Sequence, residues 1–264
     1  MVARLAIKNL IYLFFLGFSL QLPAADQARE QRWAEQIEDS IVVGEPVWLE
    51  VQGEKLLGIY TEESTGEPRG SVILIHGMGV HPNWDQVIYP LRTRLPEYGW
   101  TTLSIQMPVL ARDARFADYA PLISEAIPRI QAAGRYLTER NAEPIFIVAH
   151  SLGTLMAEAC LAATPDLPAR GLVAIGMTAS DIDPLLNSLG YIEKISLPVF
   201  DLYGSRDLPA VLETAAARKK AARKAGNTHY RQLEIEGADH FFTGLDDELV
   251  RRVRGWLEQE IRTR

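Results

Sequence analysis

Three serines in the chain are followed two residues later by glycine: Ser64, Ser151 and Ser188. Ser64 sits in an acidic turn and Ser188 in a short polar loop. Ser151 alone follows an apolar run and opens an apparent helix, in Ile145-Phe146-Ile147-Val148-Ala149-His150-Ser151-Leu152-Gly153-Thr154. A serine on a tight strand-to-helix turn has a strained backbone and a hydroxyl that stands clear of the sheet. The residues two before and two after it must be small, because strand and helix pass close together there. Ala149 and Gly153 meet that need. The turn also places the Leu152 N–H at a helix N-terminus, where developing negative charge is stabilised. The chemistry indicated is nucleophilic attack by Ser151 on an acyl carbon.

Such a nucleophile needs a base, an acid that orients the base, and a second oxyanion donor. His76-Gly77-Met78-Gly79 directly follows the apolar run Val72–Ile75, and the Met78 N–H is the candidate second donor beside that of Leu152. Past the run Val199–Tyr203 comes Gly204-Ser205-Arg206-Asp207, and past the run ending at Ile235 comes Glu236-Gly237-Ala238-Asp239-His240. The order Ser, Asp, His fits a sheet in which each residue lies just beyond a strand's C-terminal end. His240 is the expected general base and Asp207 the expected acid. Asp201, within a strand, is either a structural carboxylate or the rival acid, and Asp181 and Asp183 are weaker candidates. His229 precedes a strand and belongs at the other end of the sheet. His150 is expected to pack beneath the site, and His81 and Trp84 either line the pocket or brace it. His76 and His81 alone make no metal site, and no motif asks for a metal or an organic cofactor.

These residues need a scaffold that brings strand ends together. Val47–Tyr60 reads as two strands around Gln52-Gly53. Short apolar runs follow at Val72–Ile75, Thr101–Ile105, Ile145–Val148, Leu172–Ile175, Val199–Tyr203 and Gln232–Ile235, most without polar alternation, as in strands buried on both faces. Helical stretches lie between them, over about Gln86–Tyr98, Pro121–Arg140, Leu152–Ala163, Pro209–Ala225 and Asp246–Ile261. Gln27–Asp39 reads as a short surface helix. The fold class is α/β, a mostly parallel sheet with helices on both faces. The basic run Arg218–Lys224 reads as a solvated helix face.

Val72–Gly79, Ile145–Thr154, Val199–Asp207 and Gly237–Phe241 together resemble the α/β-hydrolase superfamily, over essentially Val47 to Ile261. Tyr98–Pro108 looks like a little-characterised branch of exported bacterial members. The resemblance implies an eight-stranded sheet and ester, thioester or amide chemistry. Ala149 replaces the commoner glycine of the elbow. About twenty residues separate the strand ending near Gly176 from the one at Val199, room for a short lid and not a cap domain. The loop Pro108–Tyr119 and the helix Pro121–Arg140 are expected to form further pocket walls. The leading expectation is a serine hydrolase acting on a small-molecule ester or acyl substrate. The alternative is a non-catalytic binding protein of the cell envelope built on the same fold.

Residues 1–25 differ in kind. Arg4 and Lys8 precede the apolar run Leu10–Leu22, followed by Pro23-Ala24-Ala25 and a polar stretch. That is the pattern of an export signal cut near Ala24 or Ala25. The run is short for a membrane span, so no stable span is expected after cleavage. The expected organisation is a signal over 1–25 and one domain over 26–264, located in the periplasm. The 264-residue chain is 47% apolar, 23% charged and carries −7, which gives no basic footprint for nucleic acid. Without residues 1–25 the balance is 25 Lys and Arg against 34 Asp and Glu, a charge of −9. Cys160 is the single cysteine, so no intramolecular disulfide forms, and it is expected to pack as a small apolar residue.

Overall fold

The computed structural model describes residues 25–263. The proposed leader, apart from Ala25, lies outside the described residues.

Eight strands form one sheet: β1 (Glu45–Val51), β2 (Glu54–Thr61), β3 (Gly70–Ile75), β4 (Trp100–Ile105), β5 (Ile145–His150), β6 (Ala169–Ile175), β7 (Val199–Arg206) and β8 (Tyr230–Asp239). Their order is β1-β2-β4-β3-β5-β6-β7-β8. The β1–β2 hairpin is antiparallel and β2 pairs antiparallel with β4; every later pairing is parallel. β3, β4 and β5 are buried along their whole length, which is why their sequences are continuous apolar runs.

Side chains alternate between the two faces with the period of a strand. Ile73, Ile75, Ile147, Ala149 and Ala174 pack with α3 (Leu122–Thr138) and α4 (Leu152–Ala163). Val72, Leu74, Phe146, Val148, Ile175 and Phe200 pack with α2 (Ile88–Arg94) and α7 (Asp246–Arg262). On that second face Phe146 meets Trp100 and Trp256 edge-on, and Phe200 stacks on Trp256.

The helix expected over Gln86–Tyr98 is shorter. Val87 has φ 61°, so α2 opens only at Ile88, and Leu95–Tyr98 tightens into a 3-10 turn at Pro96. Between β6 and β7 lie a 3-10 turn, Pro184–Leu186, and α5 (Ser188–Ile192), a short lid as expected. α6 (Pro209–Lys224) presents the expected solvated basic face at every basic residue but one. Arg218 is fully buried and grips Asp201 with two bonds of 2.8 and 3.2 Å, while Lys219, Lys220, Arg223 and Lys224 are exposed.

α1 (Gln27–Glu38) is more than a surface helix. Its Glu30, Ala34 and Ile37 are buried, and Glu30 pairs with Arg129 of α3 at 2.8 Å. The sequence hides this because the partner is a hundred residues away.

Candidate active site

β5, β7 and β8 each end one residue short of a chemically competent side chain: Ser151, Asp207 and His240. His240 Nε2 lies 2.9 Å from Ser151 Oγ, and His240 Nδ1 lies 2.6 Å from Asp207 Oδ1. The same carboxylate oxygen accepts the Leu208 N–H at 2.7 Å, and Oδ2 accepts the Gly204 N–H at 3.4 Å. Asp207 is therefore fixed from the backbone side and His240 is fixed by Asp207. A proton on His240 Nδ1 leaves Nε2 free to accept from the serine hydroxyl.

Ser151 has φ 55° and ψ −124°, a conformation a non-glycine residue holds only when its surroundings impose it. The surroundings are explicit. The Ser151 N–H donates to Ile175 O at 2.8 Å. A Cβ at position 153 would lie 2.5 Å from His76 O and 2.8 Å from Ile75 O, so helix and strand touch where the small residue was expected. A Cβ at 176, where Gly176 has φ 63°, would lie 2.8 Å from His240 Cε1. Glycine there makes room for the imidazole.

The loop His76–Gly79 reaches Ser151: a Cβ on Gly77 would lie 3.1 Å from Ser151 Cβ. His76 is buried between two backbone groups. Its Nδ1–H donates to Gly77 O at 2.9 Å, and its Nε2 accepts the Met107 N–H at 2.9 Å. Burial pushes its pKa down to about 3, so the ring is neutral. In a trans peptide the N–H points opposite to the C=O. By holding the Gly77 carbonyl, His76 fixes the plane that carries the Met78 N–H. Leu152 opens α4, and its N–H is one of the first-turn donors that a helix leaves unpaired.

A family model described as "Protein of unknown function (DUF3530)" matches residues 19–126 and 120–259. The chain belongs to this family. No curated protein matches it in sequence. Solved structures share its fold at low identity. Est1E from Butyrivibrio proteoclasticus, with ferulic acid bound, is 18% identical with a TM-score of 0.66, covering 81% of this chain and 99% of its own. A cold-adapted esterase from an Arctic intertidal metagenomic library is 19% identical, TM-score 0.61, covering 78% and 92%. A dienelactone hydrolase from Anabaena variabilis is 22% identical, TM-score 0.63, covering 81% and 96%. The fold of this DUF3530 chain is that of the α/β hydrolases.

The rival residues of this DUF3530 chain sort by their partners. Asp201 is fully buried and saturated by Arg218, the Tyr230 hydroxyl at 2.6 Å and Gln232 at 2.8 Å. That network ties β7 to α6 and β8. Asp183 caps the 3-10 turn through the Leu185 N–H, and Asp181 accepts from Asn187. His229 is exposed ahead of β8. His150 donates from Nε2 to the His240 carbonyl at 2.9 Å, and its ring packs 4.9 Å from that of His240. Burial lowers its pKa to about 4. His81 sits edge-on between Trp33 and Trp84, which braces the loop after β3 against α1. Cys160 is buried with its thiol pushed up to about 12, which keeps it protonated.

The two expected walls sort differently. Glu125 and Arg129 of α3 face α1, and with the β1–β2 hairpin they line a separate cavity of about 690 Å³ whose lining includes none of Ser151, Asp207 and His240. α3 is thus the wall of that cavity. The loop from Pro108 does approach the loop after β3, as expected: the Tyr119 hydroxyl accepts the Leu110 N–H at 3.1 Å and lies 3.9 Å from a Cβ built on Gly79. Sequence reasoning missed Arg29. It donates to Leu110 O and, at 3.2 Å, to Gly79 O. Its only sequence signal was its spacing from Trp33 on a helix, over whose ring it lies.

Proposed function

We propose that this chain is a serine hydrolase that cleaves carboxylic esters or related acyl bonds of small molecules through an acyl-enzyme on Ser151. The observation that carries the reading is the continuous hydrogen-bonded line from Ser151 Oγ through His240 to Asp207, at 2.9 and 2.6 Å. His240 takes the hydroxyl proton as Ser151 Oγ attacks the carbonyl carbon. The resulting oxyanion lies against the N–H groups of Met78 and Leu152. His240 then protonates the departing alcohol, and the acyl group stays on Ser151. Water, deprotonated by His240, releases the carboxylic acid and restores the serine. Asp207 holds the tautomer throughout. The solved structures named as esterases support the reading through shared fold alone.

The lid between β6 and β7 is small, and Met78, Ile182, Leu185, Leu208 and Phe241 stand exposed on the loops at the strand ends. An open mouth of this kind suits modest selection among neutral acyl groups. The leader-like pattern of residues 1–25 supports a reaction in the periplasm.

The test is a fluorophosphonate probe applied to the purified protein and to Ser151→Ala, with hydrolysis of short p-nitrophenyl esters measured in parallel. Labelling and turnover in the wild type, both lost in Ser151→Ala, are expected. A wild type that neither labels nor hydrolyses overturns the reading.

A further inference from the structure

The seam between α1 and α3 carries unbalanced charge. Glu30 of α1 pairs with Arg129 of α3 at 2.8 Å and also accepts the Val109 N–H at 3.2 Å. Glu125, one turn before Arg129, adds a second carboxylate close enough to raise the Glu30 pKa further. Glu54 and Lys55 of the hairpin line the same cavity and offset each other. Arg29 is turned toward Leu110 and Gly79. Two carboxylates therefore face one guanidinium across the seam.

The hydrogen bond that Glu125 makes among the described residues is from the backbone nitrogen of Ala25, 3.3 Å from Oε2. Ala25 is buried in the core, and its neighbour Asp26 is pinned by an N–H bond to Val109 O at 2.7 Å. Ala24-Ala25 is also where the small residues follow the apolar run of the leader.

We propose that the leader is removed between Ala24 and Ala25, and that the new α-ammonium pairs with Glu125 to latch α1 onto α3. The inference rests on the export reading. Water adds across the Ala24–Ala25 peptide bond in the hands of a leader peptidase. The carboxylate leaves with the leader, and the Ala25 amine takes up a proton at neutral pH. The cation completes the charge balance of the seam. The positive end of α1 and Arg129 oppose it, against the three carboxylates of Glu125, Glu30 and Asp26. The latch reaches the active site, since α1 holds the Met78 loop through Arg29 on Gly79 O and Trp33 against His81.

An ion pair holds the proton on the amine, so its folded pKa rises above the ordinary value of roughly 7.7–8.0. The stabilisation is complete below that value and is lost as pH rises through the raised one. The test expresses the full chain with its leader in a bacterial host, as wild type and as Glu125→Gln, and purifies the exported protein. Intact mass reads the first residue. Reductive ¹³C-methylation followed by a pH titration in NMR reads the α-amine pKa. A chain beginning at Ala25 is expected, with an amine pKa about one unit high, a tenfold shift, that returns to the ordinary value in Glu125→Gln. A cut at another bond, or a wild-type amine titrating at its ordinary value, overturns the latch and leaves export standing. The wild-type reading suffices even if the variant fails to fold. An uncut chain retained in the cytoplasm overturns export itself.

Discussion

Two aspartates on β7 and its end, six residues apart, have opposite surroundings, and this separates their predicted phenotypes. Asp207 spends its carboxylate on His240 and two backbone N–H groups, whereas Asp201 spends all of its own on Arg218, Tyr230 and Gln232. Asp207→Asn should lower kcat by about four orders of magnitude with little change in Tm, because it permits the wrong imidazole tautomer. Asp201→Asn should instead leave Arg218 buried without its counter-charge, costing roughly 3–5 kcal/mol of stability. Ester turnover and thermal melts of both variants check the pair, and the converse pattern would move the acid to Asp201. The buried histidines give a second residue-scale expectation. His76 and His150 have folded pKa values near 3 and 4 against roughly 6.5 when unfolded. The unfolded chain binds more protons between those limits, so their contribution is intact above pH ~6.5 and is lost as pH falls below it. Melting temperatures followed from pH 7 to pH 5 should decline, and His150→Asn should flatten the decline.

At the scale of elements, the elbow depends on what β3, β5 and α4 leave no room for. Gly153→Ala would drive a methyl group into two carbonyl oxygens of the β3 end, at 2.5 and 2.8 Å. It should lower stability by about 1–3 kcal/mol. Gly176→Ala would meet the His240 ring and should depress kcat more than KM, which steady-state kinetics would show. α4 carries a further liability. Glu158 is fully buried with neither carboxylate oxygen hydrogen-bonded, and desolvation raises its pKa well above the carboxylate range. Such a group costs stability as pH climbs above its unfolded value. Glu158→Gln should therefore raise Tm at pH 8 by a few degrees, at ~2–4 °C per kcal/mol for a domain of this size, and change it little at pH 4. The elements differ in how plainly the sequence shows them. α4 has the bounds read from sequence, and β3 and β5 run within a residue or two of theirs, because continuous apolar runs and a glycine at the elbow are local signals. The three residues at strand ends were legible for the same reason. Arg218, Glu30 and Arg129 were not, since each is buried by a partner on another element and looks like any other helix charge.

For the whole molecule without residues 1–25, a charge of −9 surrounds a mouth rimmed by the exposed apolar residues Met78, Ile182, Leu185, Leu208 and Phe241. Neutral p-nitrophenyl esters should show kcat/KM independent of ionic strength between about 10 mM and 0.5 M. Esters bearing a carboxylate should react several-fold faster as salt rises, because repulsion is screened beyond about 10 Å at 0.1 M. A salt series on matched neutral and anionic esters measures both. The sheet has a longer reach than its topology suggests. Ser151, Asp207 and His240 are each the very next residue after a strand, with no intervening loop. Among the described residues no loop lies between a strand and its side chain by which the three could part while β5-β6-β7-β8 stays paired. The heat-inactivation curve should therefore superimpose on the global melting curve, with no temperature range in which an intact fold has lost its working alignment.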